Sequence, residues 1–351
     1  MRAPRYKLHR GFRPTKSECS LHFEAFFEAL GCREHSSVSV GETPIIGLRL
    51  KSRDVYPNQN RLVMFSRTKA TARSTDTMEK AIILEAGRSE RHYWLDLWRY
   101  RELFAVLAWR DLAVRYKQTV IGVVWALIRP LLTMIVFTFV FGRIAKLPSD
   151  GGAPYALMVA AGMIPWSFFA TGLAEASNSL VVNSNLISKV YFPRMLVPAA
   201  TIVVAFVDFA VSFCMVIFLW FWYHYGPDWQ LVFLPLFVVL AFAVTLGPSL
   251  WLTAFNVKYR DFRYVIPFLV QFGLYVSPVG FSSSVIPNSW KLIYALNPMV
   301  GVIDGFRWCL LGGHSPLDLS QLSISVAVTL FLLYLGIREF RRTESSFADM
   351  I

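Results

Sequence analysis

Three ionisable side chains interrupt the long apolar stretches of this 351-residue chain: Arg129, Glu175 and Asp208. Charge is costly in hydrocarbon, so such groups are kept where they relay ions, hold a ligand or pair inside a bundle. Arg129 lies near enough to the end of its stretch to snorkel, Glu175 approaches the end of the next one, and Asp208 lies deeper. A single deep carboxylate without a matching basic or acidic partner makes a thin proton relay, so Asp208 reads as a protonated or hydrogen-bonded structural group. The rival reading is a proton-coupled transporter that uses Asp208 as its ion site. Other chemistry has no visible home: the chain holds no GxxxxGK[ST], no HExxH and no GxSxG. Cys19, Cys32, Cys214 and Cys309 show no CxxC spacing, so no disulfide framework and no metal site is read. If ATP powers this chain, its hydrolysis belongs to another one.

The elements that must position these residues are membrane spans. Mean hydropathy is +0.46, only 17% of residues are charged, and 29 Phe, 14 Tyr and 11 Trp exceed what a soluble core of this size can hide. Apolar stretches near the ~20 residues needed to cross ~30 Å of hydrocarbon occur at about 120–142, 154–178, 197–223, 231–255, 264–280 and 322–337. The expected class is therefore all-α and integral to the membrane, with six transmembrane helices, the fifth short. Residues 120–340 form the membrane domain, 78–119 a preceding segment, and 341–351 a tail.

The net charge of +12 invites a nucleic-acid reading, but residues 1–77 hold 14 of 35 Lys+Arg against 7 of 23 Asp+Glu, and the other cations cluster beside the ends of the apolar stretches. That is the pattern of membrane orientation, so no nucleic acid is expected. Residues 1–77 offer no spanning run and no signal-peptide core. They read either as a disordered extension or as upstream sequence ahead of a natural start at Met78, the latter preferred because "MEKAIILEAG" opens a segment of the same character as the rest of the chain.

Loop cations set the expected orientation. Arg99, Arg101, Arg110, Arg115 and Lys117 precede the first span; Lys189 and Arg194 follow the second; Lys258, Arg260 and Arg263 follow the fourth; Arg338, Arg341 and Arg342 end the chain. All fall on one side, and the positive-inside rule puts that side and both termini in the cytoplasm. In "YRELFAVLAWRDLAVRYKQT" the apolar Leu103, Val106, Leu107, Trp109 and Val114 suggest an amphipathic helix lying flat at the interface, as anchor or as docking element. In "VVNSNLISKVYFPRMLVP" an exposed Tyr191 and Phe192 beside Lys189, Pro193 and Arg194 have the composition of an interface anchor, or simply hold the next span at the headgroups. Between the last two spans "WKLIYAL" and "VGVIDGFRWCLL", broken by Asn297-Pro298, suggest short re-entrant helices or a cap on the leaflet, with Asp304 and Arg307 spaced to pair on one helical turn.

Four ordered blocks, "RYKQTVIGVVWALIRPLLTMIVFTFVFG", "NSNLISKVYFPRMLVPA", "NVKYRDFRYVIPFLVQFGLYVSPVGFS" and "LNPMVGVIDGFRWCLLG", closely resemble the ABC-2 type permease subunit of bacterial polysaccharide exporters. The likeness runs from about residue 90 to 345. It implies a non-enzymatic transport subunit of the bacterial inner membrane, a homodimer bound to two ATP-binding subunits that carry ATP and Mg, with no cofactor on this chain and a lipid-linked glycan such as O-antigen or capsule as cargo. It further implies that Trp109, Arg110, Asp111 and Arg115, with Lys189, Tyr191, Phe192, Pro193 and Arg194, couple to the ATPases. The loop of Lys258, Tyr259, Arg260, Asp261 and Arg263 then lies near the ATPase or anionic membrane lipids. Sugar rings rest their C–H faces on aromatic planes, so Trp166, Phe168, Tyr275, Trp290, Tyr294 and Trp308 are candidates to line the glycan path.

Overall fold

The computed structural model describes residues 93–117, 122–187, 189–190, 192–226, 228–259, 261–313, 315, 317–344 and 347; among these every regular element is helical. The expectations for residues 1–77, Tyr191 and Arg260 lie outside the described residues. Two helices, α1 (Tyr93–Arg99) and α2 (Arg101–Lys117), lead into α3 (Gly122–Phe137), which passes into a π-helical turn over Thr138–Ile144. Then come α4 (Tyr155–Val182), the short α5 (Ser184–Ile187), α6 (Leu196–Tyr223), α7 (Leu234–Lys258) and α8 (Phe262–Val276). Two short helices, α9 (Asn288–Tyr294) and α10 (Pro298–Leu310), precede the last, α11 (Leu319–Glu344).

Among the described residues, five helical stretches are long and apolar enough to cross a membrane: Ala126–Ile144, Tyr155–Val182, Leu196–Tyr223, Trp229–Lys258 and Leu319–Glu344. The expected fifth span coincides with α8, which has 15 residues and falls short of the other five. Ends follow local chemistry. Asp228 caps the 3-10 turn Trp229–Phe233 by accepting from the Trp229 N–H at 2.8 Å, and Pro at the first turn of α7 uses a position whose N–H needs no partner. Asn297 caps α10 in the same way, accepting from Met299 N–H at 3.1 Å ahead of Pro298. The helix α6 stops where His224 turns left-handed (φ 51°).

Around α4, which is buried along most of its length, pack α3, α6, α7 and α10. The main apolar core fills this space with Phe168, Phe209, Trp220, Phe237 and Phe306 among others. On α7, a Cβ added to Gly247 would lie 2.8 Å from the Leu333 nitrogen, so α7 and α11 meet backbone to backbone, which only glycine allows. A second core closes one end of the bundle. There Tyr93 and Leu107 of α1 and α2, Ile187, Phe192 and Met195 of the α4–α6 connection, Ala254 and Val257 of α7, and Phe340 and Phe347 of the C-terminal segment pack together. The stretches expected to share one side of the membrane thus share one end of the molecule.

Candidate functional site

The closed end of the bundle gathers the charged residues. From the last turn of α2, Arg115 reaches inward and forks onto Glu175 of α4, donating from its two terminal nitrogens at 3.0 and 2.5 Å. One of those nitrogens also lies 3.1 Å from Asp208 of α6, and the Tyr116 hydroxyl donates to the other Asp208 oxygen. One guanidinium is held by two carboxylates from two different helices, the fork geometry that arginine alone supplies. Burial works against the Arg115 charge, but Glu175 and Asp208 outweigh it and hold its pKa above the ordinary value. Burial and the bond to Asp208 push the Tyr116 phenol well up, so it remains a donor. Asp208 therefore has a basic partner as well as a phenol. The premise that it stands alone is corrected, because its partners lie outside the spans, on α2.

Beside this cluster opens a cleft of about 610 Å³, lined by Arg110, Asp111, Arg115, Glu175, Asn178, Ser179, Asn183 and Thr201 with Val114, Val182 and Val204. Arg110 donates to Asp111 at 2.9 and 2.7 Å and to Asn183 at 2.7 Å, tying α2 to the end of α4. The apolar residues expected to form one stripe of α2 are divided between two environments. Leu107 is buried, with Leu103 and Phe104 packed beside it, but Val106, Trp109 and Val114 are exposed. Arg115 and Tyr116 turn inward to the carboxylates, while Val106, Trp109 and Val114 point away from the bundle. Trp109 instead borders a small apolar groove with Leu112, Val203 and Val207.

In the connection, Lys189 is exposed, but Phe192 is only 4% exposed and belongs to the second core. The reading of Phe192 as an exposed anchor is corrected: the ring fills space between the connection, α7 and the C-terminal segment. Pro193 is buried beside it, and Arg194 turns to the end of α11. The expected loop after α7 is short; Lys258 lies over the Tyr259 ring at 5.1 Å, Phe255 and Phe262 stack across the turn at 5.2 Å, and Asp261 and Arg263 are exposed.

The six aromatics proposed as lining do not converge. Trp166 is buried against Gly273 of α8, and Phe168 sits among Phe206, Phe209 and Phe242. Tyr275 and Trp290 are exposed on α8 and α9, the Tyr294 hydroxyl is buried, and Trp308 packs on Trp229 and Phe233.

At the opposite end lies a polar centre that local sequence spacing does not disclose. Arg307 of α10 is fully buried, donates to the carbonyls of Phe281 at 2.9 Å and Val279 at 3.1 Å, and lies 3.7 Å from Asp150. Asp150 also accepts from the Ser282 and Ser315 hydroxyls, and Tyr155 donates to the Gly280 carbonyl at 2.5 Å. Asp304, spaced i,i+3 from Arg307, interacts with it electrostatically, while the direct hydrogen bonds of Arg307 pin the loop after α8 and Asp304 accepts from Ser283 at 2.6 Å.

A family model described as ABC-2 type transporter matches residues 102–311, a stretch that runs from α2 to the end of α10. The chain is 27% identical over 258 residues to the O-antigen export system permease protein RfbA of Myxococcus xanthus, which covers 73% of this chain and 98% of that relative. It is also 24% and 25% identical, each over 251 residues, to two Klebsiella pneumoniae proteins of the same name, in each case covering 71% of this chain and 95% of the relative.

Proposed function

Because the chain belongs to the ABC-2 type transporter family, we propose that it is the transmembrane permease subunit of an ATP-driven exporter that moves a lipid-linked polysaccharide across the bacterial inner membrane. The cargo is a glycan of the O-antigen or capsular kind, in keeping with the export named for its relatives. The observation that carries this reading is the extent of the likeness, which spans nearly the whole length of permeases named for that export.

The chain is read as crossing six times, with α8 as the short fifth span and α9 and α10 as re-entrant helices at the outer mouth. Buried polar anchoring suits that placement: a helix that enters and returns needs partners for its backbone and loop groups, and Arg307 supplies them to Phe281 and Val279. Both termini and the second core lie in the cytoplasm. Two copies of the chain bind two ATP-binding subunits, which hold ATP and Mg and supply the force. Trp109, Arg110, Asp111 and Lys189 are the exposed or half-exposed groups available to those subunits on α2 and the connection.

The proton-coupled reading is less well supported. Asp208 is engaged by Arg115 and Tyr116, which makes it a clasp between α2 and α6. Reconstitution tests the choice. Vesicles containing this chain, its partner ATPase and a lipid-linked glycan are expected to export on addition of ATP. Export driven by a proton gradient, without the ATPase, would transfer the function to the rival reading.

A further inference from the structure

The connection between α4 and α6 is tied to the C-terminal end of α11 by a reciprocal pair of bonds. The Arg194 backbone N–H donates to the Glu344 carboxylate at 2.7 Å, and the Arg194 guanidinium donates to the Glu344 backbone carbonyl. Around this pair, Arg341 lies over the Tyr93 ring at 4.9 Å, and Phe340 packs edge-on against Phe347 in the same core as Ile187, Phe192 and Met195. A carboxylate that accepts from a loop N–H while its own backbone accepts from the loop's side chain fixes both position and orientation.

The other end of α11 is pinned as well. Ser325 donates to the Ala295 carbonyl at 3.2 Å, between α9 and α10, and its side chain fills the space beside Gly301 of α10. From Ser325 to Glu344 the helix spans about 28 Å. Between those points it touches α7 backbone to backbone at Gly247. One continuous helix thus joins the connection to the pair α9 and α10, where Arg307 of α10 holds the loop after α8.

We infer that α11 is the element that carries motion from the α4–α6 connection to the opposite mouth, and that Glu344 is the positioning residue that joins the connection to it. This rests on the reading of the connection as the surface that receives the ATPase. Glu344 itself need touch neither glycan nor ATPase.

The test uses the full chain assembled with its ATPase subunit in membrane vesicles, with ATP hydrolysed and glycan exported measured on the same sample. Glu344→Ala is expected to assemble and hydrolyse ATP near the wild-type rate, while glycan exported per ATP falls about tenfold, the factor expected for loss of one charge-assisted hydrogen bond. Glu344→Gln retains an acceptor oxygen in the same place and is expected to restore most of that ratio. Should the Ala variant fail to insert, Glu344→Asp withdraws the acceptor by one methylene while keeping the charge, and is expected to lower the ratio in the same way. An unchanged ratio in the Ala or Asp variant overturns the inference. So does parallel loss of hydrolysis and export, which would make Glu344 part of the docking surface. A wild-type complex that hydrolyses ATP without moving glycan refutes instead the functional reading on which the inference stands.

Discussion

Phe192, set between Lys189 and Arg194 in a short connection, has the sequence surroundings of an exposed anchor and the structural surroundings of a core residue. Replacing it by Ala removes a buried ring, so Phe192→Ala is expected to destabilise the chain by about 3 kcal/mol or more, seen as a lowered thermal midpoint in detergent. The exposed Lys189 is the residue whose truncation should leave that midpoint in place while weakening stimulation of the partner ATPase. Tyr116 gives a prediction in pH. Burial and the bond to Asp208 raise its folded-state pKa, so the folded chain holds the phenolic proton more tightly than the unfolded chain does. The contribution is complete below the unfolded value of about 10 and is lost as pH rises through the folded one. The protection of α2 against hydrogen exchange should therefore show no titration of this group from about pH 6 to 9, and Tyr116→Phe should lower that protection by the same factor at every pH in that range. Little of this was legible beforehand. Asp208 and Arg307 stand out in the sequence as charges in apolar surroundings, but Arg115 beside Asp208 and Asp150 beside Arg307 lie far away in the chain, and local spacing discloses only Asp304 among the charges that face Arg307.

The helices themselves were legible, because a bilayer demands about 20 apolar residues in a row and no other element satisfies backbone groups there. Their ends were less so. α4 runs to Val182, α7 to Lys258 and α11 to Glu344, past the apolar stretches, since a helix continues wherever charged residues beyond the hydrocarbon tolerate it. The π-helical turn Thr138–Ile144 left no mark in hydropathy. Nor did the α7–α11 crossing, where Gly247 is one glycine inside an apolar stretch. A Cβ there meets Leu333 N at 2.8 Å and the Leu332 carbonyl carbon at 2.9 Å, and both are backbone atoms that cannot swing aside. Gly247→Ala is therefore expected to cost about 1–3 kcal/mol, measured by thermal unfolding, with larger residues at the same site worse.

For the whole molecule, sidedness was the most legible property, because cations flanking each apolar stretch report which ends belong together. The second core unites those ends by contact, through Tyr93, Phe192, Val257 and Phe340. Single cysteines at 263 and 342 are expected to react with an impermeant thiol reagent only from the cytoplasmic face, and one at 291 only from outside; reversal of either would invert the proposed orientation. The short helix α8 has a further effect on its surroundings. With 15 residues it measures roughly 22 Å end to end, against a hydrocarbon thickness of ~30 Å. On the proposed six-span topology, α8 would cross as a helix shorter than the hydrocarbon, and the surrounding lipids are expected to compress toward it at an elastic cost that depends on acyl length. Shorter lipid tails would ease that compression, so export reconstituted in vesicles of graded acyl length is expected to be greater in thin membranes than in thick ones.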